Sequence, residues 1–233
     1  MRIAIVSDVH GNLTALEAVV ADLERVGPDL VVHGGDLALM GPRPAEVIDR
    51  IRELGWPGIV GNTDEVLWDF DGSPVPANLR EVFRPQVAAT RALLEEERIQ
   101  WLQSLPREWK GDGIGLVHAV PGDLWSVIPP DAEDDTLIQT FGPLGTPLAV
   151  YCHIHRPYVR HPPNLIVANS GSVGAPFDGD TRASYLLIDD GELEVRRVDF
   201  DLKSELAVLT ASGYPFTPAI VEARRRAAPP RWQ

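Results

Sequence analysis

With 233 residues, 44% of them hydrophobic and 24% charged, the chain has the make-up of an ordinary soluble globular protein with material for one large core. Its formal net charge of −13 opposes non-specific binding to polymeric nucleic acid or an anionic membrane, and no apolar stretch approaches the about 18 residues of a membrane span. Cys152 is the only cysteine, which excludes an intrachain disulfide, and with no recognisable targeting segment the cytoplasm is the expected compartment.

Ile3 to Ser7 is a short apolar, partly β-branched run that reads as a buried strand. Asn12 and Thr14 are N-cap candidates for a helix reaching about Val26, with Leu13, Leu16, Val20 and Leu23 on one face and Gly27-Pro28 ending it. Leu30 to His33 is the next strand. Pro44 opens a second helix carrying Val47, Ile48, Ile51 and Leu54, closed by Gly55. Gly58 to Val60 reads as a third strand, so the chain begins strand–helix–strand–helix–strand, the pattern of a parallel sheet with right-handed crossovers.

Val82 to Leu105 is rich in strong helix formers, with Glu95-Glu96-Glu97-Arg98 expected on a solvated face. Ile114 to His118 looks like a strand. Pro121 to Pro147, rich in Pro, Gly and acids, reads as a surface excursion with one short helix. Strands follow at Leu148–Cys152, Asn164–Ala168, Ser184–Asp189 and Glu192–Phe200, the last two joined by a hairpin turn at Asp190-Gly191. One domain over residues 1–223 is expected, with 224–233 fraying as a tail.

Five of these segments end in metal-ligand chemistry: Asp8-Val9-His10, Gly35-Asp36, Gly61-Asn62, His118 and His153-Ile154-His155. Four of the six histidines occupy these slots. Residues two apart on a strand share a face, so Asp8 with His10, and His153 with His155, are expected to aim at one point if the chain stays extended. Ligands at the carboxyl ends of strands meet at the edge where open α/β sheets place their sites. Gly34-Gly35 and Gly61 permit sharp turns and close backbone approach beside Asp36 and Asn62. His33 and His161 match no such slot. Arg43, Arg156 and Arg182 are candidates for phosphate contact, against a plain reading as surface charge.

The segments SDVHGNLTALEAV, VVHGGDLALMGPRPAEVID, GIVGNTDEVLW, LVHAVPGDLW, YCHIHRPYV and IVANSGSVGAPFDGDTRASYLLID together resemble the calcineurin-like metallophosphoesterase superfamily, in its small bacterial and archaeal phosphodiesterase branch, over about residues 1–200. The resemblance implies an α/β/β/α sandwich of two mixed sheets and two divalent metal ions. Asp8, His10, Asp36 and His155 would hold one; Asp36, Asn62, His118 and His153 would hold the other, with Asp36 bridging. Asp36, Asn62 and His118 thereby also take a catalytic part. The mixed oxygen and nitrogen donors suit Mn2+ foremost, and Fe2+, Ni2+, Co2+ or Zn2+. A hydroxide between the metals would attack phosphorus.

Two positions depart from the family pattern. Thr63 stands where many relatives carry a histidine able to protonate the leaving group. This weakens an assignment to alkyl phosphomonoesters, because general acid help is worth about 10^2–10^4-fold. Cys152 replaces a glycine before His153 and could line the site, ligate a metal or simply pack. The expected function is metal-dependent hydrolysis of phosphoric esters, foremost small phosphodiesters, with pocket walls near Trp125 choosing among them. The rivals are a phosphomonoesterase or protein phosphatase on the same scaffold and a catalytically inactive scaffold protein. Polymeric nucleic acid and membranes are not expected partners, and a homo-oligomer is compatible with the sequence.

Overall fold

The computed structural model describes residues 1–232. In chain order it comprises β1 (Arg2–Val6), α1 (Leu13–Val26), β2 (Leu30–His33), α2 (Pro44–Leu54), α3 (Asn62–Glu65), α4 (Ala77–Leu93) and α5 (Glu96–Ser104). These are followed by β3 (Glu108–Gly111), β4 (Ile114–Val117), α6 (Asp134–Phe141) with a 3₁₀ turn at Gly142–Leu144, β5 (Leu148–Tyr151), β6 (Tyr158–Arg160) and β7 (Ile166–Asn169). The chain closes with β8 (Ala183–Asp189), β9 (Glu192–Val198), α7 (Leu202–Ala211) and α8 (Thr217–Arg226).

Alternation along the strands sorts side chains into two cores. On β1, Ile3 and Ile5 enter one cluster, while Ala4 and Val6 enter another. The first cluster also receives Ile114 and Leu116 of β4, Leu148 and Val150 of β5, and Leu186 and Ile188 of β8, so it lies between the two sheets. The intervening residues face helices: Ala4, Val6, Tyr185 and Leu187 meet residues of α1, α2, α4 and α5, while Val117, Ala149, Tyr151 and Val167 meet Leu137 and Phe141 of α6. Both faces of each sheet are covered, which is why the strand sequences read as continuous apolar runs.

The result is the expected α/β/β/α sandwich. One sheet has the order β2-β1-β8-β9, the other β3-β4-β5-β7-β6, and each mixes parallel with antiparallel pairs. The Asp190-Gly191 turn joins β8 to β9 with both φ angles positive (47° and 90°), as a two-residue hairpin of matching twist requires. Asn12 caps α1, its Oδ1 accepting from Ala15 N at 3.0 Å, and Gly55 closes α2 at φ 66°.

Several expectations are corrected. Gly58–Val60 is not a full strand: it makes one bridge, Gly58 to His33, because only Pro57 O and Ile59 N reach β2. The long middle helix is two, broken where Leu94 and Glu95 turn extended (ψ 135° and 156°) so that Leu94 can bury. The Pro121–Pro147 excursion holds its expected short helix, α6, but is not confined to the surface, since Leu137, Phe141 and Leu144 form the outer layer over the second sheet. The tail does not fray from residue 224. Arg224 lies inside α8, Arg224 and Ala227 are buried, and Trp232 packs on Phe216 with ring centroids 6.0 Å apart. The expectation for Gln233 lies outside the described residues. Among the described residues no helix is long and apolar enough to cross a membrane.

Candidate metal centre

The seven candidate ligands gather at one end of the sandwich, just past β1, β2, β4 and β5 and at the start of α3. Asp8, His10, Asp36 and His155 are buried, and each offers one ligand atom within 4.8 Å of the others. His155 Nε2 lies 3.1 Å from Asp8 Oδ1 and 3.2 Å from His10 Nε2. Asp36 Oδ2 stands 3.7 Å from His10 Nε2 on one side and 3.5 Å from His118 Nε2 on the other. His118 Nε2 is 2.8 Å from Asn62 Oδ1, and His153 Nδ1 reaches the same oxygen at 3.0 Å. One aspartate oxygen therefore faces two adjoining groups of donors.

The proton positions follow from the backbone. His10 Nδ1 donates to Leu39 O (2.9 Å), His118 Nδ1 to Gly34 O (2.8 Å) and His155 Nδ1 to Ala175 O (2.5 Å), since a carbonyl can only accept. In the neutral rings, each Nε2 then presents a bare lone pair to the cluster. His10 and His155 aim theirs at one another, and with His155 neutral both oxygens of buried Asp8 lack a donor. Electron pairs packed this way repel unless a positive charge stands among them, and burying them unpaired is expensive. The residues fit divalent cations.

The backbone reaches this arrangement by turning rather than by staying extended. Asp8, His10, Asp36, His153 and His155 all have positive φ, between 49° and 60°. The i, i+2 strand argument for the two pairs is thus replaced by paired left-handed kinks, each of which swings a side chain inward. Neighbouring loops hold the kinks: Asp8 N donates to Gly35 O, His10 N to Asp36 O and Gly11 N to Leu37 O, continuing the β1–β2 ladder past the strands. The Asn169–Gly174 loop buttresses the site from the other sheet, with Ser172 Oγ donating to Asp8 O at 2.7 Å and Gly174 N to the same oxygen. Gly61 is needed for contact, because a Cβ there would collide with Asp36.

Charge divides unevenly among these groups. Burial opposes ionisation of Asp8, yet His155 beside it holds the carboxyl below its usual range; Asp36 is likewise lowered against burial by His118. His118 is pushed up to about 9, its burial outweighed by the Asp36 carboxylate, and His155 is raised by Asp8. Burial lowers His10 and His153 to about 4, so both are neutral at physiological pH.

Other candidates resolve as follows. Cys152 joins the core between the sheets, its sulfur accepting from Ser170 Oγ at 3.6 Å, and burial raises its pKa so that it stays a thiol outside the ligand group. Arg43 is paired with Glu205 and Arg182 with Asp180, which leaves only exposed Arg156 near the cluster, in a cleft shared with His153. His161 is exposed, and His33 is buried away from any partner.

Sequence reasoning passed over three residues. Asp64 accepts from Asp36 N (2.8 Å), Leu37 N (2.9 Å) and Gly61 N (3.2 Å), binding two ligand loops together; burial and Asp36 raise its pKa to about 7. Phe177 stacks on His155 at 4.2 Å. Arg224 donates to His10 O at 3.0 Å and Met40 O at 3.2 Å. Only Asp64, two residues beyond Asn62 in the same motif, carried a local signal; the other two come from distant segments.

A model of the calcineurin-like phosphoesterase superfamily domain matches residues 1–191. The uncharacterised protein MJ0912 of Methanocaldococcus jannaschii is 29% identical over 91% of this chain and 93% of its own. Phosphodiesterase YfcE of Escherichia coli is 26% identical over 84% of this chain and 91% of its own. Among solved structures, a metallophosphoesterase from Sphaerobacter thermophilus superposes with a TM-score of 0.81 at 29% identity, covering 97% of this chain and 99% of that one.

Proposed function

The chain belongs to the calcineurin-like phosphoesterase superfamily, and we propose that it hydrolyses small phosphodiesters at a pair of divalent metal ions. The observation that carries this reading is the position of Asp36 Oδ2, 3.7 Å from His10 Nε2 and 3.5 Å from His118 Nε2, between two sets of inward-facing donors. Asp8, His10, Asp36 and His155 would hold one ion and Asp36, Asn62, His118 and His153 the other. A set of nitrogens and oxygens with the thiol packed elsewhere suits Mn2+ first, and equally admits Fe2+, Ni2+, Co2+ or Zn2+. Such ions, when bound, lower the pKa of water and offset the charge of the phosphoryl oxygens.

The protein's own groups do the rest. The carbonyls of Leu39, Gly34 and Ala175 fix three imidazoles by Nδ1, so that each Nε2 is the atom turned toward the metal positions. Thr63 N donates to Asp36 Oδ1 at 2.9 Å and keeps the other carboxylate oxygen turned inward. The Thr63 hydroxyl, buried and without a partner, cannot serve as a general acid near neutral pH. Leaving groups must therefore depart largely without a donated proton, which favours activated or aryl esters and diesters over alkyl phosphomonoesters. The diesterase named YfcE, similar over most of this chain, points the same way.

The experiment is to strip metal with a chelator, restore Mn2+, and compare bis-p-nitrophenyl phosphate with p-nitrophenyl phosphate. The expected result is metal-dependent turnover with the diester preferred, reduced at least about 100-fold in Asp36→Asn. Preference for the monoester would assign the scaffold's phosphomonoesterase activity instead. Retention of near-parental activity by Asp36→Asn would overturn the dinuclear reading.

A further inference from the structure

Building on the phosphodiesterase reading, we propose that the cleft above the metal cluster is a subsite for an uncharged, aromatic ester arm, walled on one side by the C-terminal residues Pro230 and Trp232. A cavity of about 250 Å³ opens directly over His10, Asp36, Asn62, His153 and His155. Its remaining walls are apolar, built chiefly from Trp125, Phe83, Leu79, Met40, Phe177 and Trp232. In a chain with 34 acidic and 21 basic residues, among the described residues Asp36 is the only acid lining this space and no lysine or arginine lines it. Apart from the metal-centre residues, only the Thr63 hydroxyl and Trp125 Nε1 offer polar atoms here, so a charged or hydroxylated arm would shed its water for at most those two partners. An apolar arm would gain from every square ångström it buries.

The preference for a flat arm comes from the rings. Trp125 and Phe83 lie 6.5 Å apart at 42°, forming a bent aromatic wall. Phe177 lies parallel to His155 at 4.2 Å and 15°, so aromatic surface runs up to the metal ligands themselves. Val127, 64% exposed, adds an apolar rim at the mouth.

The far wall belongs to a part of the chain outside the matched domain of residues 1–191. Its position is secured by Arg224, which bonds the His10 and Met40 carbonyls, and by the Phe216–Trp232 contact. One wall of the subsite is thereby supplied from outside the matched stretch, while Trp125, Phe83, Leu79, Met40 and Phe177 lie within it.

Phosphonates give a direct test, because each carries one arm and is not hydrolysed. Affinities of Mn2+-loaded protein for methyl-, 2-hydroxyethyl- and phenylphosphonate are measured by calorimetry. The phenyl compound is expected to bind roughly tenfold or more tightly than the methyl compound, and the hydroxyethyl compound no better than methyl. In Trp125→Ala and Trp232→Ala the phenyl advantage should shrink to about threefold or less. Should either variant fail to fold, the wild-type series and the other variant still decide. Equal binding of phenyl- and methylphosphonate, with bis-p-nitrophenyl phosphate still turned over, overturns the subsite and leaves the phosphodiesterase reading standing. An unchanged phenyl advantage in both variants also overturns it. Absence of both phosphonate binding and turnover removes the underlying reading as well.

Discussion

Replacing Arg224 with methionine removes the guanidinium that ties α8 to the metal centre while keeping most of the side chain's volume. In the native protein Nη1 pairs with Glu205 Oε1 at 2.7 Å, and Nη2 donates to His10 O at 3.0 Å and Met40 O at 3.2 Å. The Arg224 and Glu205 side chains are 3% and 0% exposed. The variant leaves two carbonyls and one carboxylate oxygen buried without donors. Each such group is worth about 1–3 kcal/mol, and breaking a buried ion pair about 3–5 kcal/mol. Glu205 keeps Thr14 Oγ1 (2.8 Å) and Arg43 Nη2 (2.6 Å) on its other oxygen, which places the loss near the lower end, about 4 kcal/mol. Urea unfolding of the metal-free protein measures it. The local effect falls on His10, whose φ of 49° is held partly by that carbonyl bond. Orienting contacts of this kind are worth about 10–100-fold in metal affinity. Arg224→Lys keeps a charge for Glu205 but cannot span both carbonyls. It should lose less stability than Arg224→Met and still bind Mn2+ about tenfold more weakly than the parent. If Arg224→Met unfolds within about 1 kcal/mol of the parent and Mn2+ affinity stays within about twofold, the clamp assigned to this arginine does not exist.

Three further outcomes are expected. His33 is buried with both ring nitrogens unpartnered, and burial lowers its pKa from 6.5 to about 4. As pH falls from 6.5 toward 4 the unfolded chain takes up this proton and the folded chain does not, so stability drops by about 3 kcal/mol. His33→Leu should lose that part of the acid slope, and urea unfolding at neutral and acidic pH that shows an identical slope would refute the assignment. Metal loading must displace the protons that Asp36 and Asp8 hold on His118, with its pKa of about 9, and on His155. Mn2+ affinity should therefore climb with pH and level off above about 9, with proton release visible by calorimetry in buffers of different ionisation heat; binding without proton release at neutral pH contradicts this. By the same shift, the His118–Asp36 pair stabilises the metal-free fold fully below pH 6.5 and ceases to do so as pH rises through about 9. Finally, Thr63→His places a proton donor beside the cluster and should raise turnover of alkyl esters relative to aryl esters by about 10^2-fold or more, with a new limb in the pH–rate profile; an unchanged ratio shows that leaving-group protonation is not what Thr63 lacks.

Seven of the nine strands were legible and the candidate ligands could be named from local chemistry, apolar runs ending in Asp, Asn or His beside glycine, while β3 (Glu108–Gly111) and β6 (Tyr158–Arg160), short and half-exposed, gave no such run. The geometry joining the ligands was not. Asp8 and His10 were expected to share a strand face, yet both sit at positive φ and converge by turning. Nothing in Asp-Val-His announces that turn, because the bonds that enforce it come from Gly35, Asp36 and Leu37. The tail failed for the same reason. Residues 224–232 carry arginines, alanines and prolines that suggest fraying, and only the carbonyls of His10 and Met40, some 180 to 210 positions earlier, give Arg224 a reason to be ordered. The apolar cleft was legible at Trp125 alone, since Phe83, Phe177 and Trp232 reach it from three other segments.

Strain and charge at the cluster have one resolution. Five non-glycine residues in the left-handed region cost on the order of 1–2 kcal/mol each, moderated by the tolerance of Asp and His for it. The buried carboxylates and imidazoles they turn inward are offset in the metal-free protein only by the protons on His118 and His155. A fold that only had to be stable would discard both, because an extended chain past β1 and β5 would relieve them. What retains them is the hydrogen bonding that clamps four of the five kinks from outside: Gly35 O on Asp8 N, Arg224 on His10 O, Asp64 on Asp36 N and Phe177 N on His155 O. The clamps come from the β2–α2 loop, α3, the β7–β8 loop and the C-terminal helix, so no single element can relax without breaking bonds made by another. A surplus of inward-facing donors, held in place by bonds from outside the cluster, is a site built to be completed by cations. Adding a divalent metal should therefore stabilise the fold well beyond what ionic strength alone achieves, by RT ln(1 + [L]/Kd), or about 2.7 kcal/mol at a hundredfold excess over Kd. Equal thermal midpoints with Mn2+ and with matched NaCl would show that the clamped kinks serve something other than metal.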